Sequence, residues 1–147
     1  MTWTLPAAAA ALLLAAVPIP AGDAKRELEK FQGLWSVAAE TSSGIAVPAD
    51  RLKGRQLEVK GNRYNAKSPA TGGELGTFAL DPDKKPRAID LTHLSGEEKG
   101  KTELGIYEVS GDTAQFCVSE AGKERPTAFS TTKDDDRNLF VIKRKKS

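Results

Sequence analysis

Cysteine and histidine occur once each in this chain, as Cys117 and His93, and tyrosine only twice. A single thiol leaves no partner for an internal disulfide, so the fold must be held by packing alone. A single histidine leaves no set of convergent imidazoles for a metal, and neither a metal nor a cofactor is expected. Charge of one sign is also missing: 22 Lys and Arg face 20 Asp and Glu. Without a basic stripe interleaved with aromatics, nucleic acid is not an expected partner. Long apolar runs are missing too. The longest, Ala7–Val17, has 11 residues, well short of the ~20 that a membrane-spanning helix needs.

That run nevertheless has the length of the apolar core of a secretory signal. Small residues Gly22 and Ala24 flank Asp23, which fits cleavage after Ala24. Residues 1–24 are therefore expected to be a signal peptide and 25–147 the mature domain, secreted or periplasmic. Losing Asp23 moves the formal charge from +2 to +3. The basic tail Lys143-Arg144-Lys145-Lys146 reads as the solvated end of a last strand. No cysteine follows the apolar run to accept a lipid, and no stable membrane span is expected in the mature chain.

Past this leader one stretch has helical character, Asp23 to Phe31, in which Leu28 and Phe31 lie three apart among charges. From Gly33 onward the period changes to two. Trp35, Val37 and Ala39 are expected to share one face, and Gly44 to Lys53, with Pro48, reads as an irregular connection. Leu57 and Val59 alternate next, and Gly61-Asn62 makes a tight hairpin into Tyr64 and Ala66. Further strands are expected at Glu74–Leu80, Arg87–Leu94, Lys101–Val109, Thr113–Ser119, Thr127–Thr131 and Asn138–Arg144, separated by Gly, Pro, Asn and Asp turns. Such short strands and short connections indicate an all-β fold. An eight-stranded antiparallel up-and-down barrel with a short N-terminal helix leaves no open edge and is the expected architecture.

Leu34-Trp35, Leu80-Asp81-Pro82 with Lys85-Pro86, Ile89-Asp90-Leu91-Thr92, Gly105-Ile106-Tyr107-Glu108, Cys117, Arg125-Pro126-Thr127 with Phe129 and the closing basic strand together form a pattern. In it, from about Phe31 to Lys145, the chain resembles the small lipocalin-like domain that occurs in many paralogous copies in planctomycete bacteria. The resemblance implies a β-barrel, secreted or linked to other domains, and adds no catalytic residues. It also implies the closure of lipocalin-like barrels. Gly33 lets the chain turn into the first strand, and Trp35 closes the floor beneath a basic side chain of the last strand, Lys143 or Arg144.

The candidate wall of a ligand site consists of Trp35 at the closed end, then Tyr64, Phe78, Tyr107, Phe116 and Phe129, with Arg125 placed to meet an anionic group at the mouth. His93 shares a face with Ile89 and Leu91, whereas Cys117 lies opposite Phe116 and Val118 in the alternation. Neither sits in an activating motif, and no enzyme is expected. Two near-motifs fail on spacing. Gly96 to Thr102 ends like a phosphate loop but has three residues between its glycines and leads into a strand. Asp134-Asp135-Asp136 lacks the spaced ligands of a calcium loop. The expected function is that of a barrel binding a small, partly apolar ligand. The alternative is a filled barrel that binds an envelope protein through its outer surface.

Overall fold

The computed structural model describes residues 21–70 and 72–146; the apolar run Ala7–Val17 lies outside them. Helix α1, Ala21–Lys30, carries Asp23 in its first turn and Lys30 in its last, each complementing the helix dipole. Glu27 is buried and Leu28 half-buried, whereas Lys25, Arg26 and Glu29 stay in water. Phe31 follows at once. It enters one end of the sheet, where its burial is worth about 1.5–3 kcal/mol.

Nine strands follow among the described residues: β1 Gly33–Ser42, β2 Ile45–Ala46, β3 Gln56–Lys60, β4 Arg63–Ser68, β5 Gly72–Asp81, β6 Ala88–His93, β7 Thr102–Ser110, β8 Thr113–Ser119 and β9 Arg137–Arg144. Each of β3 to β8 pairs antiparallel with the next. β1 pairs with both β3 and β9, closing an eight-stranded up-and-down barrel. β2 pairs only with the end of β1. Closure leaves no main edge unpaired. The hairpins β3–β4 and β7–β8 turn through Gly61 and Gly111, whose φ angles of 59° and 58° suit glycine. No helix among the described residues is long and apolar enough to cross a membrane.

Three local expectations are corrected. Ala39 does not share a face with Trp35 and Val37. The register with β9 shifts between Val37 and Ala39, so a bulge inserts one extra residue and Glu40 instead pairs with Phe140. The connection Gly44–Lys53 is not wholly irregular, since it holds β2 and a one-turn helix α2, Ala49–Leu52, anchored by buried Leu52. Thr127–Thr131 is not a strand. It belongs to a strap, residues 120–136, between β8 and β9.

The strap buries the outward row Ala88, Ile106 and Cys117, which pair across β6, β7 and β8. Cys117 Sγ reaches the Ser130 carbonyl, and Ser119 Oγ donates to that of Glu124. Pro126 is fully buried. The strap is tied off by Asp135, whose carboxylate accepts from the Thr131 and Thr132 hydroxyls and from the Thr132 and Arg137 amides. Those hydrogen bonds hold its ionisation below the usual range although what burial it has opposes them. The acidic run is thus a turn fastening. The same alternation that made Thr127–Thr131 look like a strand serves a segment packed against a sheet.

Candidate functional site

The two faces of the wall divide the candidate residues. Inside, the end carrying α1 is sealed. Phe31 stands at the centre of an aromatic cluster, with ring centroids 5.4 Å from Tyr107, 5.6 Å from Phe116, 6.2 Å from Phe78 and 6.4 Å from Trp35. Trp35 is completely buried and its Nε1 donates to the Phe31 carbonyl at 2.8 Å. The Arg144 guanidinium lies 4.2 Å from the Trp35 ring and donates to the Gln32 and Lys30 carbonyls and to Asp112. Lys143 is exposed. Gly33, at φ 114°, has no side chain to meet the Arg144 Nη1 that approaches its Cβ position to 3.4 Å.

Tyr107 belongs to this floor. Its hydroxyl donates to Glu27 at 2.9 Å, and Glu27 also meets Lys30 at 2.6 Å and Arg87 at 3.3 Å. Burial alone would raise the Glu27 carboxyl, but these donors and charges win and hold it below its ordinary value. Burial and the Glu27 hydrogen bond push the Tyr107 phenol well above its own. Trp35 and Tyr107 therefore close the barrel and do not line its interior.

Above the floor the barrel is not filled. A cavity of about 920 Å³ runs from Phe31 to Lys53, Pro69 and Ala70 at the opposite end, a size within the range of small-molecule sites. The alternative of a barrel filled by its own side chains does not fit this open volume. Eight strands enclose a lumen whose size depends on the side chains pointed inward, and here many are Val, Leu or Ile. Its lower wall is apolar: Val37, Leu57, Val59, Phe78, Ile89, Leu91, Phe116, Phe140 and Ile142. Phe78 and Phe116 of the candidate wall lie here.

Tyr64 also lines the lumen, paired on one side with Val59. Its partner on the other side is Gly76, and a Cβ built on Gly76 would stand 2.2 Å from Tyr64 Cζ, so the ring lies flat over bare backbone. Gly76 pairs in turn with His93, which also lines the lumen. His93 Nε2 is 2.8 Å from Glu103 Oε1, and Glu103 faces inward opposite Leu91. Burial first, then the charges of Glu103 and Glu74, push the Tyr64 phenol up to about 12.

The remaining candidates are outside. Arg125 lies on the outer wall, donating to Asp90 at 2.7 Å and to the Gly105 and Ile89 carbonyls at 2.8 and 3.1 Å. Its guanidinium fastens the strap and does not reach the lumen. Phe129 is half-buried in the strap and does not line the cavity. Cys117 is buried behind the wall from His93, and burial pushes its thiol up, so the two form no nucleophile–base pair. Among the described residues no His, Cys, Asp and Glu groups converge in the manner of a metal site.

Sequence reasoning had passed over Gly76, Glu103 and Phe140. Alternation alone carried a signal for Glu103 and Phe140; Gly76 needed the β4–β5 register. Compared with known proteins, the chain matches no protein-family model, no curated protein and no solved structure.

Proposed function

We propose that this protein is an extracytoplasmic carrier that holds a small, largely apolar molecule inside its barrel. The open cavity of about 920 Å³ carries the reading. Its apolar lower wall supplies the driving force, since each methylene buried there gains about 0.8 kcal/mol, and Tyr64, His93 and Glu103 add polar groups to the same lumen. Export is supported by the apolar run Ala7–Val17 and the small residues around Asp23. No reaction is assigned, because His93 and Cys117 lie on opposite faces of the wall.

A second reading, docking to an envelope protein, is favoured by one observation. Ile45, Leu75 and Leu94 are 72%, 49% and 40% exposed, and all lie toward the open end. Native mass spectrometry of the protein purified from its own envelope separates the two. A stoichiometric small-molecule adduct lost on denaturation, on a chain beginning at Lys25, is the expected result. A bare chain retaining a protein partner would overturn the carrier reading, and a chain retaining residues 1–24 would overturn export.

A further inference from the structure

We propose that the lumen selects amphiphilic amines: an apolar body against the lower wall and a protonated amino group seated between Glu103 and Tyr64. This rests on the carrier reading and adds the ligand's chemical class. Tyr64, Gly76 and His93 form one row across β4, β5 and β6. Because Gly76 has no side chain, the Tyr64 ring lies across it, within reach of the field of Glu103. His93 occupies one oxygen of Glu103. Among the described residues no hydrogen bond reaches Glu103 Oε2 or the Tyr64 hydroxyl, and neither atom is sealed off, the buried orphan being Asn65 Oδ1, so both stay reachable from the cavity they line. A ligand ammonium supplies the donors that this pair of oxygens lacks, and the Tyr64 ring adds an electron-rich face.

The cations near the lumen do not cancel this field. Arg55 is engaged by Glu40 in an ion pair. Lys67 lines the cavity's edge, but its ammonium is turned by strand alternation toward Glu58, at 3.9 Å. Arg51 and Lys53 are exposed on and after α2 at the rim, where water and salt screen them, next to Asp50. Glu103 and His93 are the more enclosed groups, with side chains 23% and 13% exposed, and charge acts more strongly where water is partly excluded. Glu74, also facing the lumen, adds a second negative charge near the opening. A carboxylate head group at this level would face Glu103.

The test uses the mature chain and three probes of equal length, decylamine, decanol and decanoate, titrated calorimetrically at pH 7 and low salt. Decylamine should bind about tenfold or more tighter than decanoate, with decanol between, as expected of a hydrogen bond to a charged group. Glu103→Gln should bring decylamine to within about twofold of decanol and leave decanol unchanged. Tyr64→Phe keeps the ring on Gly76 and should weaken decylamine alone, by about threefold. If decanol binds but decanoate equals or exceeds decylamine, or if the amine's advantage survives Glu103→Gln, the amine proposal fails and the carrier reading stands. If none of the three probes binds, both fail.

Discussion

At the α1 end of the barrel, Arg144 covers Trp35 and donates to two carbonyls and Asp112; at the other end Arg51 and Lys53 are exposed and have no ion pair among the described residues. The same strands run through both ends. At the floor Phe31, Trp35 and Tyr107 are buried and their polar neighbours are partnered: Trp35 on Phe31, Tyr107 on Glu27, Glu27 on Lys30 and Arg87. Toward the mouth the wall keeps an unfilled volume, a tyrosine hydroxyl without a partner and the exposed Ile45, Leu75 and Leu94. The contrast teaches a division of labour. Substitutions at the floor register as stability, and substitutions at the mouth register as binding.

The largest effect expected from this division is that of Trp35→Ala, which empties the floor and should cost about 3–5 kcal/mol in denaturant unfolding. Ile45→Ser at the mouth should stay within about 0.5 kcal/mol of the parent. Comparable losses at the two sites would break the comparison. Gly76→Ala, between the ends, sharpens it. The new methyl would collide with Tyr64, costing about 1–3 kcal/mol, yet in a Tyr64→Ala background the same change should be neutral or stabilising, because alanine suits a strand better than glycine.

A smaller effect separates the two sets of cations. Arg144→Met should cost about 1–2 kcal/mol through the lost ring contact and hydrogen bonds, whereas Arg51→Met should cost nothing measurable in thermal or chemical melts.

The subtlest difference lies in pH. Tyr64 and Tyr107 are the only tyrosines, and both phenols are raised, Tyr64 to about 12 and Tyr107 further. Groups raised on folding contribute stability that is complete below the unfolded value, about 10, and is lost as pH climbs toward the folded values. Phenolate absorbance should therefore be absent from the native chain at about pH 10.5, where the urea-unfolded chain is already largely ionised. Glu27, lowered on folding, acts at the other limb: its contribution is present above about pH 4.3 and is lost as pH falls through its folded value. Glu27→Gln should flatten that acid limb. Native tyrosines titrating like unfolded ones would show that the floor is not sealed.

Much of the barrel was legible because alternation is a local property. Thr113–Ser119 was read with the bounds of β8, and most other strands to within a residue or two. What failed depended on pairing or on remote contacts. The bulge after Val37 is invisible until β9 is laid beside β1, since nothing in Val37-Ala38-Ala39 marks an extra residue. Thr127–Thr131 alternates like a strand, but Pro126 and Arg125 pin that segment onto the outside of a sheet already complete.

The site was half legible for the same reason. Tyr64, Phe78 and Phe116, candidates for the wall as strand aromatics, do line the lumen. Tyr107 obeys the same alternation but lies too near the closed end, a matter of height along the barrel axis that sequence periodicity does not encode. Gly76 read as one more strand glycine; only its register opposite Tyr64 gives it a role.

The central claim, that the lumen is a binding chamber and the floor its structural support, is tested most directly by filling the chamber. Leu91→Trp places a large ring in the cavity from a half-buried wall position and leaves every floor residue in place, and calorimetric titration with decanol compares it with the parent. The account predicts one saturable site per parent chain, lost in Leu91→Trp while the unfolding free energy changes by no more than about 1 kcal/mol. Decanol binding that persists with the chamber filled, or a parent chain that never saturates, would contradict it.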